Sequence, residues 1–193
     1  MLGMSEKGVM ELTREEAWKL LTDWTKSASL LKHARCVELV MEAAAERYGE
    51  EGDSAEEWAL AGLLHDADYD KWPEEHPHKV VQWLNEQGEP NLAKAIASHY
   101  TGWGLPYEDR MQKALVACDE LTGFVVACCL VRPEGIATLK PKSVKKKLKD
   151  KAFARSVERD EVRKGVEMLE TDLTEHIQFI IDTLSQYRDE LKL

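Results

Sequence analysis

The sequence predicts an all-α protein, a single-domain helical bundle with a C-terminal helical extension. Two observations carry this prediction. Apolar residues recur at helical spacing along almost the whole chain, with no convincing strand alternation. Cap and breaker residues then divide that pattern into helix-sized pieces. With 193 residues, 44% hydrophobic and 32% charged, the chain has the material for one sizeable core rather than two.

Thr13 followed by Glu16 has capping-box spacing and opens a first helix reaching to about Lys26, with Trp18, Leu21 and Trp24 as its apolar side. Ser27 or Ser29 caps a second helix to about Tyr48, closed by Gly49. Asp53 or Ser54 opens a third, in which Trp58 to Leu64 is so continuously apolar that the helix must be buried on most sides. That helix ends at His65 and Asp66. A loop from Ala67 to Glu75 contains Pro73, a helix from about Pro77 to Glu86 precedes Gly88 and Pro90, and a short helix spans Asn91 to Tyr100. After the turn Thr101 to Pro106, a long helix runs from about Asp109 to Val131. Arg132 to Gly135 breaks the chain, a lysine-rich segment follows, and one bent helix or two fill Arg155 to Leu191. The pieces group as an N-terminal helix (residues 1–26), a helical core (27–131) and an extension (132–193) packed on that core.

A net charge of −10 excludes a protein that grips duplex nucleic acid through a basic face. A small phosphorylated ligand is still allowed, and so is a homodimer. The first sixteen residues never develop the apolar stretch of a secretory signal, and the greasiest run, Phe124 to Val131, falls short of the roughly 20 residues a membrane span needs. The expectation is a cytoplasmic protein with no membrane partner. Cys36, Cys118, Cys128 and Cys129 form no Cys-x-x-Cys pair and read as reduced core filler. Trp18, Trp24, Trp58 and Trp83 read as core, while Trp72 and Trp103, in loops near histidines, could line a pocket.

The informative feature is a set of titratable residues where apolar side chains belong. His33 lies on or beside the stripe Leu30, Ala34, Val37, Met41 and Ala44, and Asp119 joins the stripe Met111, Leu115, Thr122 and Val126. An ionised carboxylate there is costly and demands a cation, a metal or several donors. His65 and Asp66 emerge from the end of the most hydrophobic helix, and His99 follows Leu92 and Ile96 at helical spacing. A lone inward histidine is an ordinary core residue, but several on separate helices would share one cost if they met at a metal.

The ordered set His33, then His65 with Asp66, then Asp119 resembles the HD-domain superfamily of metal-dependent phosphohydrolases. The context Asp119-Glu120-Leu121 agrees, and His76 before Pro77, with His99 in Ser98 to Pro106, looks like the additional histidines of the two-metal members. The likeness covers about residues 27–131. It implies a bundle of the HD-domain type in which His33, His65, Asp66 and Asp119 hold the first metal. His76 and His99 would serve a second metal or contact substrate phosphate, with Asp66 as the bridge. His78 competes with His76 for that place. One departure concerns a His-Asp-Ile-Gly-Lys run of many relatives, which reads His65, Asp66, Ala67, Asp68, Tyr69 here, without the phosphate-contacting lysine.

Imidazoles with two carboxylates make a borderline-to-hard site for one or two divalent ions, Mn, Fe, Zn, Ni, Co or Mg, with no cysteine ligand needed. Such an ion polarises a phosphoryl oxygen and lowers the pKa of a water for hydrolysis. Asp68 and Asp70, just past the ligand pair, could orient water or take a proton as catalytic groups, or simply be solvated loop residues. In the lysine-rich segment Val144 and Leu148 face inward and leave Lys145, Lys146 and Lys149 outward, as a solvated face or for phosphate steering. The leading expectation is a phosphomonoesterase or phosphodiesterase acting on a small phosphorylated metabolite or nucleotide. The alternatives are an HD-type di-iron oxygenase and a non-catalytic signalling or binding module with a structural metal.

Overall fold

The capping box of Thr13 and Glu16 is formed, and from it α1 runs Arg14–Trp24. The computed structural model describes residues 12–193, so the expectations for residues 1–11 lie outside the described residues. Ser27 caps α2 (Ala28–Tyr48), ended by Gly49, and Ser54 caps α3 (Ala55–Leu64). Then follow α4 (His78–Gln87), α5 (Pro90–His99) and the long α6 (Arg110–Leu130), the last opened by a capping box of Asp109 and Gln112. The extension holds α7 (Pro141–Leu148), α8 (Arg159–Met168), α9 (Leu173–Gln186) and the short α10 (Arg188–Leu191). Among the described residues there are ten α-helices and no strand.

The apolar helix α3 is buried from Trp58 through Leu64, as its composition demands, and packs most extensively on α2. Close approach is possible because Gly62 has no side chain: a Cβ there would lie 2.6 Å from the Val37 carbonyl oxygen. α2 also packs on α6, whose buried row includes Leu115, Cys118, Leu121, Phe124 and Val125. The extension continues this core, with α8 lying on α6 and α9 touching both α2 and α6. A Cβ on Gly165 of α8 would sit 2.4 Å from Cα of Ala117.

A buried carboxylate not foreseen from spacing, Glu38 of α2, ties α1 in place. Its oxygens accept from Arg14 at 2.5 and 3.1 Å and pair with Arg35 at 2.9 Å. All four cysteines are free and buried. No helix is long and apolar enough to cross a membrane among the described residues.

Three expectations need correction. Of the tryptophans expected in the core only Trp58 is deeply buried; Trp24 and Trp83 are half-buried and Trp18 is exposed, because Ala17 and Leu21 form the buried side of α1. Trp72 packs edge-on against Trp24 and Trp103 against His78, so neither lines the cleft described below. The stretch 155–191 is three helices rather than one or two. Glu170 adopts a left-handed φ of 54° after α8, and Asp172 starts α9 afresh by accepting the Thr174 and Glu175 amides.

Candidate metal centre

Four helix ends and helix faces converge on one spot. His33 stands on α2, one turn in from its capped start, and His65 and Asp66 follow directly on the buried end of α3. His99 closes α5, and Asp119 faces inward from the middle of α6. His76 comes from the turn before α4. The segment after α3 is not a free loop, since Thr25 donates to the Ala67 carbonyl at 3.1 Å and a chain of tight turns follows.

The distances are short. His33 Nε2 lies 3.2 Å from His65 Nε2 and 3.0 Å from Asp119 Oδ1, which is itself 3.2 Å from His65 Nε2. Asp66 reaches both ways: Oδ2 is 3.5 Å from His65 Nε2, while Oδ1 is 3.3 Å from His76 Nε2 and 3.7 Å from His99 Nε2. Two trios of potential ligand atoms result, His33 with His65 and Asp66, and Asp66 with His76 and His99. Asp66 belongs to both.

The far nitrogens of three rings fix their tautomers. Nδ1–H of His65 donates to the Gly62 carbonyl at 2.8 Å, that of His99 to the Ile96 carbonyl at 2.5 Å, and that of His76 to Asp68 Oδ1 at 2.7 Å. Each of these three rings therefore turns its Nε2 to the centre, the arrangement by which outer hydrogen bonds orient metal-binding imidazoles. Nitrogen and carboxylate oxygen atoms then crowd one spot, and a cation, whether a proton on an imidazole or a metal ion, is what satisfies such a set.

The electrostatics agree. Burial alone would depress the His65 imidazole, but the Asp66 and Asp119 carboxylates outweigh it and push it up to about 10. Burial likewise opposes the charge on Asp119, yet His65 and His33 hold its carboxyl well below the usual carboxylate range. Positive charge is favoured at the point where the Nε2 atoms meet.

The centre lies at the base of a cleft of about 750 Å³. Tyr69 and Tyr100 stand at its rim beside His76, with ring centroids 5.4 and 5.8 Å from that imidazole. Among the described residues Lys32 is the one lysine or arginine lining it, against Asp66, Asp119, Glu120, Glu158 and Glu161. Glu158 and Glu161 come from the extension, which no local motif flagged. They are tied in: Glu120 accepts the Glu158 amide at 3.0 Å, and Glu161 accepts from Thr101 Oγ1 at 2.5 Å.

Of the residues singled out in the sequence, the structure brings together His33, His65, Asp66, His76, His99 and Asp119. His78 is left outside, exposed against Trp103. Asp68 and Asp70 are not brought to the cleft as catalytic groups. Asp68 is fully buried, with Oδ1 on His76 and Oδ2 accepting the Val80 amide at 3.0 Å. Asp70 accepts the Lys26 and Ser27 amides at 2.7 and 3.0 Å, clamping the turn to the start of α2. Compared with known proteins, the chain matches the family model of the HD domain over residues 30–122. No curated protein and no solved structure matches it.

Proposed function

Residues 30–122 are an HD domain, and from that premise we propose that the chain is a metal-dependent phosphohydrolase acting on a small phosphorylated metabolite or nucleotide. The observation that supports the reading most is the facing of four imidazole nitrogens and two carboxylates, with the rings of His65, His76 and His99 held from behind. His33, His65, Asp66 and Asp119 would hold one divalent ion, and His76 with His99 would share Asp66 around a second. When bound, such an ion supplies Lewis acidity towards a phosphoryl oxygen and an acidified water as nucleophile.

The protein's own groups divide the remaining work. Asp68 holds His76 in one orientation and is itself held by the Val80 amide, so the two sides of Asp66 stay at a fixed separation. Lys32, next to His33, offers the positive charge to a substrate phosphate that the residue at Tyr69 cannot. The carboxylates of Glu158 and Glu161 repel a substrate with anionic groups spread along it, and admit one whose charge is gathered at the metal end.

Phosphate release from a panel of monoesters and diesters, with the protein loaded in turn with Mn²⁺, Fe²⁺, Co²⁺, Ni²⁺ and Mg²⁺, tests the reading. Turnover that is lost in both Asp66→Ala and His65→Ala supports it. A centre with four imidazoles also suits iron, so oxygen uptake by the iron-loaded protein with no phosphate released would transfer the assignment to an oxygenase. A metal-bound protein inert in both assays would leave a structural metal in a binding module.

A further inference from the structure

A second cleft, of about 700 Å³, opens in the extension between α7, α8 and the start of α9. Its charge is opposite to that of the first. Lys145, Lys149, Lys151, Arg155, Arg159 and Arg163 line it against only Glu158 and Asp160, in a chain whose net charge is −10. Between the charges lie the apolar side chains of Leu148, Val157, Val162 and Leu173.

The basic residues are not all available. Arg163 is paired with Asp160, and Lys145 donates to Thr174 at 2.9 Å. Arg159 builds the wall: its guanidinium donates to the carbonyls of Asp150, Phe153, Ala154 and Val157 and lies 5.1 Å over the Phe124 ring. Winding residues 150–157 around one cation shapes the cleft before any ligand arrives. Lys149, Lys151 and Arg155 are exposed and make no ion pair or side-chain hydrogen bond among the described residues. Three uncommitted cations on a preformed wall with an apolar floor suit a ligand that carries several negative charges at one end and an apolar body at the other.

We propose that this cleft binds a phosphorylated small molecule of nucleotide size, at a site separate from the metal centre. The proposal does not rest on the catalytic reading, since the residues that carry it lie outside the HD domain. It does place the ligand beside the first cleft, because Val157 and Glu158 line both.

Calorimetric titration of the protein as purified with β,γ-imido-ATP at low salt tests it. Binding is expected for this probe and not for adenosine, and Lys149→Glu with Arg155→Glu should weaken it roughly tenfold or more while leaving the thermal melt unchanged. Asp119→Ala should bind the probe like the wild type. Absence of binding overturns the proposal, as does binding that survives the double charge reversal or disappears in Asp119→Ala, which would place the nucleotide in the metal cleft. Equal affinity for adenosine would equally remove the role of the cations.

Discussion

Asp68 shows how a residue outside the cleft controls one inside it. Its two oxygens serve His76 Nδ1 and the Val80 amide, both away from water. Asp68→Ala strands both donors and should lose about 1–3 kcal/mol in denaturant unfolding, with a roughly 10–100-fold weaker affinity for the second metal equivalent. Asp68→Asn, which keeps one acceptor, should recover part of the stability. Unchanged metal stoichiometry and stability in the alanine variant would show that His76 needs no support. The sequence could not distinguish Asp68 from Asp70, because both follow the His65-Asp66 pair and only the turn geometry buries one and leaves the other on the surface. His176 carries a different lesson, since nothing in its spacing marked it. Fully buried, it donates Nε2–H to the Ala117 carbonyl at 3.0 Å and accepts the Tyr48 hydroxyl at Nδ1, with Arg47 on α2 and Cys118 on α6 facing it. Burial foremost pulls it down to about 4 from an ordinary 6.5. The unfolded chain therefore takes up this proton first as pH falls. Stability that is full above pH 6.5 drains away towards pH 4, by up to about 3 kcal/mol. In His176→Gln, urea melts should show a shallower loss than the wild type over that window; parallel curves would mean that the imidazole is protonated in the fold.

At the scale of elements, the capped starts of α1, α2, α3 and α6 were legible. Thr13, Ser27, Ser54 and Asp109 all lie where capping rules place them. The extension was harder to read for a physical reason. The break between α8 and α9 uses a left-handed glutamate, Glu170, without glycine or proline to mark it, and only Asp172 with Glu175 three residues on carried a start signal. The close contact of α8 with α6 was equally hidden, because a glycine within a helical pattern reads as a weak point. Gly165 is instead a contact. Placing alanine there gains about 1 kcal/mol of helix propensity in isolation, yet its Cβ would fall 2.4 Å from Cα and 2.7 Å from N of Ala117. Backbone cannot yield as a side-chain tip can, so Gly165→Ala should destabilise the protein by about 1–3 kcal/mol. A stabilised Gly165→Ala protein in urea denaturation would show that α8 is free to move away from α6.

At the scale of the whole molecule, the candidate metal centre draws on α2, α3, α5, α6 and the turn before α4, so it cannot form before the HD domain is assembled. Apart from His76, to which only the family resemblance pointed, that set was legible because inward polar residues on apolar helices conflict with burial unless they share a partner. The wall supplied by Glu158 and Glu161 was not, since it comes from chain that the motif does not reach. Binding that requires the folded arrangement must stabilise it, and Asp119 is the most sensitive point, as it contacts both His33 and His65. Whether Asp119 holds metal is decided by the melting temperature of the wild type and of Asp119→Ala, each with excess Mn²⁺ and after chelation. In the wild type, metal at a hundredfold over its Kd should raise Tm by about 5–10 °C relative to the chelated protein. In Asp119→Ala that shift should shrink sharply while the helical spectrum persists, since alanine suits a helix and removes a charge left buried. An Asp119→Ala protein that is less stable but responds to metal as the wild type does would contradict the account and exclude Asp119 from the coordination sphere.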